Sequence, residues 1–88
     1  MAKEDYLRAF ILRGKNRGAI INELSKGEKT QAQLHQITKM YRTHARRVLL
    51  ELQKKGLVKC LNPDDRIYKL YVLTNLGLKI KKEIEKIR

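Results

Sequence analysis

A stripe of apolar residues between positions 41 and 52 sets the architecture that this chain can adopt. Its members recur at the spacing of one helical face, and Gly56 ends the pattern. They are Tyr41, Ala45, Val48, Leu49 and Leu52. The stripe predicts a helix over residues 41–55 whose apolar side is buried. The residues between its members must then point outward, and these are Arg42, Thr43, His44, Arg46 and Arg47.

An apolar pattern before this stripe predicts a helix over residues 15–25. Its buried face consists of Ile20, Ile21 and Leu24. Asn16 is a plausible N-cap for this helix, and Gly27 lies where a helix end favours a residue that tolerates positive φ. Residues 4–13 also have a helical period, but a strand is the alternative for them.

Thr30 and Gln33 have the spacing of a capping box, in which the threonine oxygen accepts from the amide of Gln33 and the glutamine reaches back. The motif predicts a short helix over residues 31–37. Leu34 and Ile37 supply its buried face.

The second half of the chain predicts a β-hairpin followed by a helix. Two β-rich runs, 57–61 and 67–73, flank the turn-forming residues 62–65, and Thr74 caps the last helix. The stripe of that helix is Leu76, Ile80, Ile84 and Ile87. The fold class expected is α+β, mostly α, with three helices, a hairpin and a C-terminal helix. We expect one domain over residues 1–88, with a core at about 15–75 and the last helix at 76–88.

The net charge of the chain indicates which class of partner it binds. Twenty-one Lys and Arg residues against nine Asp and Glu residues give a net charge of +12, which favours a polyanionic partner, with nucleic acid first. No apolar run reaches the roughly 18 residues of a membrane span, so a cytoplasmic protein without membrane partners is expected.

Nothing in the sequence favours an enzyme or a metal site. Cys60 is the only cysteine, so neither an internal disulfide nor a cysteine-rich metal site is expected. His35 and His44 are far apart and have no carboxylate cluster nearby, which argues against a zinc centre. No glycine-rich phosphate loop or nucleophile and base pair is recognisable. No catalytic residue, cofactor or small-molecule ligand is therefore predicted.

Several short motifs add to the order of the elements. They are Leu34, Ile37, Met40, Ala45, Leu49 and Leu52, then Gly56-Leu57-Val58, and later Tyr71-Val72-Leu73-Thr74 with Gly77. Over roughly residues 15–80 this pattern resembles winged helix-turn-helix transcriptional regulators of the ArsR and MarR type, and residues 12–17 and 60–63 look most like small archaeal members. Lys39 departs from the pattern, because the turn often has Gly or Asn there, and so does Tyr41, where a small polar N-cap is common.

The resemblance implies a transcriptional regulator that binds double-stranded DNA sequence-specifically, with helix 41–55 in the major groove. Arg42, Thr43 and Arg46 are predicted to read bases, because arginine can donate two hydrogen bonds to guanine. Lys39 and Arg47 are predicted to contact phosphates. His44 is expected to contact either a base or a phosphate. A solvated surface face is the alternative, but between positions 39 and 55 six basic residues accompany one acid.

Other elements are expected to add phosphate contacts. Thr30 and Gln31 open the second helix, whose positive dipole end suits a phosphate. The predicted hairpin at residues 57–73 corresponds to the wing of the winged-helix fold, and Arg66 lies at its tip. Arg66 is a candidate for contact with the minor groove, although the DNA backbone would repel two neighbouring aspartates. Tyr68 and Tyr71 are interpreted as packing residues and not as base-stacking platforms.

The last helix favours a homodimer. Its stripe would bury little against so small a core, so its four residues are predicted to contact a second copy; they are Leu76, Ile80, Ile84 and Ile87. Two alternative functions remain open. One is an architectural, nucleoid-associated chromatin protein with little sequence specificity, and the other is a winged helix that binds protein or RNA.

Overall fold

The computed structural model describes the backbone of residues 3–87 and the side chains of residues 3–86. Its elements, in order, are α1 (Lys3–Arg13), α2 (Lys15–Ser25), β1 (Lys29–Thr30), α3 (Gln31–Thr38), α4 (Arg42–Lys54), β2 (Val58–Cys60), β3 (Leu70–Leu73) and α5 (Asn75–Ile87). The strands form an antiparallel sheet in the order β1-β3-β2. The mostly helical α+β class expected from the sequence is confirmed, and the segment left open at residues 4–13 is a helix. The two-residue strand β1 was not predicted.

Helix α4 packs against α2, α3 and β2 through its apolar stripe. Ala45, Leu49 and Leu52 are fully buried. Tyr41 was expected to belong to this buried side, but its side chain is 83% exposed. The residue is the N-cap, with an extended backbone at φ −64° and ψ 149°, so its side chain does not follow the period of the helix.

Two further expectations about the first helices are wrong. Ile37 is 48% exposed, and the turn residue Met40 is buried instead, because α3 contributes only Leu34 to the core. Helix α2 begins at Lys15 after an extended Gly14, so Asn16 lies inside its first turn and does not cap it.

The end of α4 satisfies its own carbonyl groups through a left-handed glycine. Gly56 has φ +75°, its amide donates to the carbonyl of Gln53 at 3.0 Å, and the amide of Leu57 donates to Leu52 at 3.0 Å. This bonding is that of a Schellman motif. Because Leu52 and Leu57 are both fully buried, the turn also brings the chain back into the core.

Thr74 joins this turn to the last helix. Its amide donates to the carbonyl of Leu57 at 3.0 Å, and its hydroxyl donates to the carbonyl of Gly56 at 2.6 Å. The same hydroxyl accepts from the amide of Gly77 at 3.0 Å, which caps α5 as expected. A Cβ atom on Gly77 would overlap the backbone oxygen of Leu57, so only glycine allows α5 to pack this closely.

The apolar side of α5 is covered within the chain itself. Helix α1 packs against both α2 and α5, so Ile80 is fully buried and Ile84 is 9% exposed in one protomer. Leu76 is half-buried and packs against the same core. The premise that these residues would find little to pack against is therefore wrong, since α1 supplies the covering surface. The side chain of Ile87 lies outside the described residues.

Two helical glycines test the close approach of α5. We expect Gly77→Ala to lower the free energy of unfolding by roughly 1 to 3 kcal/mol, because the new methyl group meets backbone that cannot move aside. Gly18→Ala is the matched control. No atom lies within 4 Å of a Cβ placed on Gly18, so this variant should gain about 0.5 to 1 kcal/mol. Urea denaturation of both variants measures the difference, and equal stabilities would contradict the packing argument.

Candidate nucleic-acid interface

The solvent side of α4 carries a row of cations. Arg42, Thr43, Arg46 and Arg47 are all exposed, as the sequence pattern requires. Residues four apart lie one turn above each other, so Arg42 and Arg46 form one line and Thr43 and Arg47 form a second beside it. Among the described side chains, no carboxylate lies within ion-pair distance of the three arginines.

The acidic residues are engaged away from this row. Glu51, the one acid of α4, accepts from Arg17 on α2 at 3.2 Å. The guanidinium of Arg17 also lies 3.9 Å from the ring centroid of Phe10 and donates to the carbonyl of that residue at 2.8 Å. Arg17 therefore links α1, α2 and α4, and Glu51 is engaged with it instead of neutralising the outward face of its own helix.

The remaining close ion pairs connect α1 with α5 or lie within one helix. Glu4 accepts from Lys79 at 2.9 Å, and Glu83 accepts from Arg8 at 3.0 Å. The hydrogen bond and positive charge of Lys79 lower the pKa of the Glu4 carboxyl, and the pKa of Lys79 is raised by the same contact. These pairs neutralise part of the positive charge on α1 and α5.

His44 differs from its neighbours on α4, because it is half-buried. Its Nε2 atom lies 2.7 Å from the side-chain nitrogen of Asn16, and an amide nitrogen can only donate, so the ring nitrogen accepts. The contact ties the first turn of α2 to the first turn of α4. His44 is therefore directed at the scaffold, and its predicted contact with a base or a phosphate has no support in this geometry.

A strained turn sets the direction in which α4 leaves α3. Lys39 has a left-handed backbone, with φ +63° and ψ +17°, and its amide donates to the carbonyl of His35 at 3.0 Å. The ring of His35 donates through Nδ1 to the carbonyl of Met40. Lys39 is exposed and directly precedes α4, so its charge adds to that of the arginine row while its backbone makes the turn.

The N-terminus of α3 has the predicted capping box. Thr30 accepts from the amide of Gln33 at 3.1 Å, and the Gln33 side chain accepts from the amide of Thr30 at 2.9 Å. The amide of Gln31 donates to the carbonyl of Lys69 at 3.2 Å. Because the amides of Gln31 and Gln33 already have partners, a phosphate here would rely on side chains more than on the free helix end.

The wing is ordered by two short polar side chains. Asn62 donates to the carbonyl of Tyr68 at 2.6 Å and accepts from the amide of Leu70 at 2.7 Å. Asp65 accepts from the amides of Ile67 and Tyr68 at 2.8 and 2.9 Å. The Asp65 carboxylate thus faces backbone amides, and hydrogen bonds from Tyr68 and Ile67 lower its pKa.

The two tyrosines of the hairpin have different environments. Tyr71 is 4% exposed on β3 and packs in the core, but Tyr68 lies before the strand and is 66% exposed, so its interpretation as a packing residue is wrong. The sequence also gave no sign of Lys69. Pairing of β1 with β3 places Lys69 beside the start of α3, together with Gln31, Arg46 and Arg66. That juxtaposition depends on sheet register, which a local sequence pattern does not contain.

Several solved structures have a similar fold. A mutant of ZitR from Lactococcus lactis matches with a TM-score of 0.74 at 23% identity, over 83% of this chain and 51% of that one. A MarR-family transcription regulator matches with a TM-score of 0.74 at 31% identity, over 83% and 50%. The regulator BldR from Sulfolobus solfataricus matches with a TM-score of 0.72 at 18% identity, over 82% and 52%.

The chain has the winged helix-turn-helix fold of MarR-type transcription regulators. The resemblance inferred from the sequence motifs is thereby confirmed. The chain spans about half the length of these three structures. No protein-family model matches the sequence, and no curated protein does.

No helix in the described part of the chain is long and apolar enough to cross a membrane. Within residues 3–86, His, Cys, Asp and Glu side chains form no group of three that could hold a metal ion.

The left-handed turn residue gives a stability prediction. We expect Lys39→Gly to raise the free energy of unfolding by up to about 1 kcal/mol. A left-handed backbone costs about 1 to 2 kcal/mol for a residue with a Cβ, and the greater freedom of glycine in the unfolded chain offsets part of the gain. Lys26→Gly is the control, because this helix cap has φ −83°, and it should lose stability. A loss in both variants by thermal or urea denaturation would contradict the assigned strain.

The wing should respond to acid. The folded pKa of Asp65 lies below its ordinary value of 3.8, so its hydrogen bonds stabilise the wing above that pH and are lost as pH falls through the folded pKa. We expect the amide NMR signals of Ile67 and Tyr68 to shift with a midpoint below pH 3.8. Asp65→Ala should abolish this transition, whereas Asp64→Ala should retain it. A midpoint above 3.8 would disprove the assignment.

Proposed function

We propose that this chain is a transcriptional regulator that binds double-stranded DNA sequence-specifically, with α4 in the major groove. The observation that carries the proposal is the exposed row of α4, whose arginines have no carboxylate partner among the described residues, beside an ordered wing. The net charge of +12 and the structural similarity to MarR-type transcription regulators support it.

The position of each residue along α4 suggests whether it contacts a base or a phosphate. Arg42 and Thr43 are in the first turn, where a recognition helix approaches base edges, and arginine can bond guanine O6 and N7 together. Lys39 precedes the helix and Arg47 follows one turn later, and both are suited to phosphates at the walls of the groove. Arg66 is exposed on the wing and is the candidate for the adjacent minor groove.

The proposal includes a homodimer that acts on DNA in the cytoplasm. Two copies of α4 about one helical turn of DNA apart would match a pseudo-palindromic site. Because Ile80 and Ile84 are buried within one protomer, a second copy would contact other residues. Leu12 on α1 and Leu78 on α5 are exposed apolar residues that such an interface could cover.

The strong positive charge also favours a second candidate. An architectural chromatin protein would bind DNA through phosphates alone and would need the same surplus of cations. The two functions differ in sequence preference and not in overall affinity, since either one would weaken steeply with salt. A protein with about 6 to 10 phosphate contacts loses about 10³ to 10⁵ in affinity between roughly 50 and 200 mM salt.

The test is selection from a pool of random duplexes, followed by affinity measurements on the enriched sequence. We expect a two-fold motif, and we expect Arg42→Ala to lose about 10 to 100-fold in affinity for it, corresponding to about 1 to 3 kcal/mol for one bidentate base contact. Arg13→Ala removes the same charge from the exposed end of α1 and should change affinity little. Sedimentation of the complex gives the number of protomers.

Each outcome assigns a function. A motif that relaxes in Arg42→Ala supports the regulator. Tight binding without any enriched motif would instead support the architectural protein. The absence of binding to every duplex at low salt would contradict both candidates.

A further inference from the structure

Three cations from two separate parts of the chain line one open cleft. Arg46 of α4 forms one wall, Arg66 and Lys69 of the wing form another, and Gln31 closes the end at the start of α3. The cleft has a volume of about 320 Å³. No carboxylate lines it, so its three positive charges face a space in which nothing in the described chain balances them.

Backbone pairing holds one side of the cleft, where the base of the wing meets the start of α3. Thr30 pairs with Leu70 and Lys29 pairs with Tyr71 across β1 and β3, and the amide of Gln31 donates to the carbonyl of Lys69. The base of the wing and the first turn of α3 are therefore one connected surface.

The lining of the cleft shows which way Arg46 points, because Arg46 shares it with Arg66 and Lys69 of the wing. Burial raises the pKa of the Tyr71 phenol, and the nearby Cys60 adds to that shift, whereas the positive charge of Arg46 acts in the opposite direction. The influence of this charge on Tyr71 agrees with the position of Arg46 in the cleft. Arg46 is thus directed at the wing, although it shares a helical face with Arg42.

The ligand that suits such a cleft is a single tetrahedral anion. Like charges that converge repel one another, and an anion between them removes that cost. A phosphate offers several acceptor oxygens, which match the fork of an arginine and the point charge of a lysine. The side-chain amide of Gln31 can donate a further hydrogen bond. A base edge, by contrast, presents only one or two acceptors and would leave two cations without partners.

We propose that this cleft holds one phosphodiester of the DNA backbone, so that Arg46 is a phosphate-binding residue and not a base-reading one. The inference rests on the proposed function, because it takes DNA as the ligand. It replaces two expectations, namely that Arg46 reads bases together with Arg42 and Thr43 and that Arg66 enters the minor groove. Specificity then depends on the first turn of α4, and the cleft sets the depth and angle at which that turn enters the groove.

The test compares Arg46→Ala and Lys69→Ala with Arg42→Ala and the control Arg13→Ala. Affinity is measured on the enriched duplex and on a scrambled duplex at four salt concentrations. We expect the two cleft variants to weaken binding to both duplexes by the same factor, about tenfold or more, and to reduce the slope of log affinity against log salt by about 0.9. Arg42→Ala should lower affinity for the scrambled duplex only as much as the loss of one charge requires. Its affinity for the enriched duplex should fall further than that.

A second arm identifies the phosphate. Single phosphodiesters of the enriched duplex are replaced by neutral methylphosphonates, one position at a time. In the wild-type chain, a methylphosphonate at one position in each half-site should lower the affinity. In Arg46→Ala, a methylphosphonate at that same position should cause no further loss. A free phosphate ion as the natural occupant would give no such position, and that result would overturn the proposal.

The outcomes distinguish failure of the proposed phosphate-binding cleft from failure of the proposed function as a DNA-binding regulator. A wild-type chain that binds no duplex overturns the regulator and the cleft together. A wild-type chain that binds its motif while Arg46→Ala binds equally well overturns the cleft alone. A collapse of the preference for the enriched duplex in Arg46→Ala would restore that residue as a base reader.

Discussion

The burial of the apolar stripe on α4 is the interaction on which the rest of this structure depends. Ala45, Leu49 and Leu52 have no exposed surface, and they hold the helix against α2, α3 and β2. A helix can bury such a stripe in only one orientation, so the contacts that build the core also determine which residues face outward. Core and interface are two sides of one helix. A change that rotated α4 in the core would move every arginine on it.

The acidic residues of this chain affect the distribution of charge more than they affect stability. Exposed ion pairs contribute only about 0 to 1 kcal/mol each, so Glu4 with Lys79 and Glu83 with Arg8 do little to hold α1 on α5. The apolar contacts of Leu7, Ile11 and Ile80 do that. The pairs change the electrostatic field of the protein, because they neutralise cations on α1 and α5. Residues 39–69, which include α4 and the wing, hold nine of the 21 basic residues and three of the nine acids, so half of the net charge of +12 lies there.

Local patterns predicted most of the elements, and the errors share one cause. Periodicity and capping motifs located α2, α3, α4 and α5, because both depend on residues a few positions apart. A stripe shows which side of a helix is apolar but not what covers it, so the role of α1 over Ile80 and Ile84 was missed. Tyr41 was misplaced because helical spacing was extended one residue too far. Among the candidate site residues, exposure of the α4 row followed from the sequence, whereas the position of Lys69 beside Gln31 and Arg46 depends on strand register.

The short strand β1 connects the two halves of the candidate interface. Thr30 pairs with Leu70 of the wing and also caps α3, so a single residue belongs both to the sheet and to the helix-turn-helix. The turn at Lys39 then sets the angle between α3 and α4, and hence the position of Arg42. The sheet sets the position of the cleft around Arg46. The two arginines lie one turn apart on one helix, but different elements govern their surroundings. Changes in the turn should therefore alter mainly which bases are read, while changes in β1 or β3 should alter mainly how tightly the backbone is held.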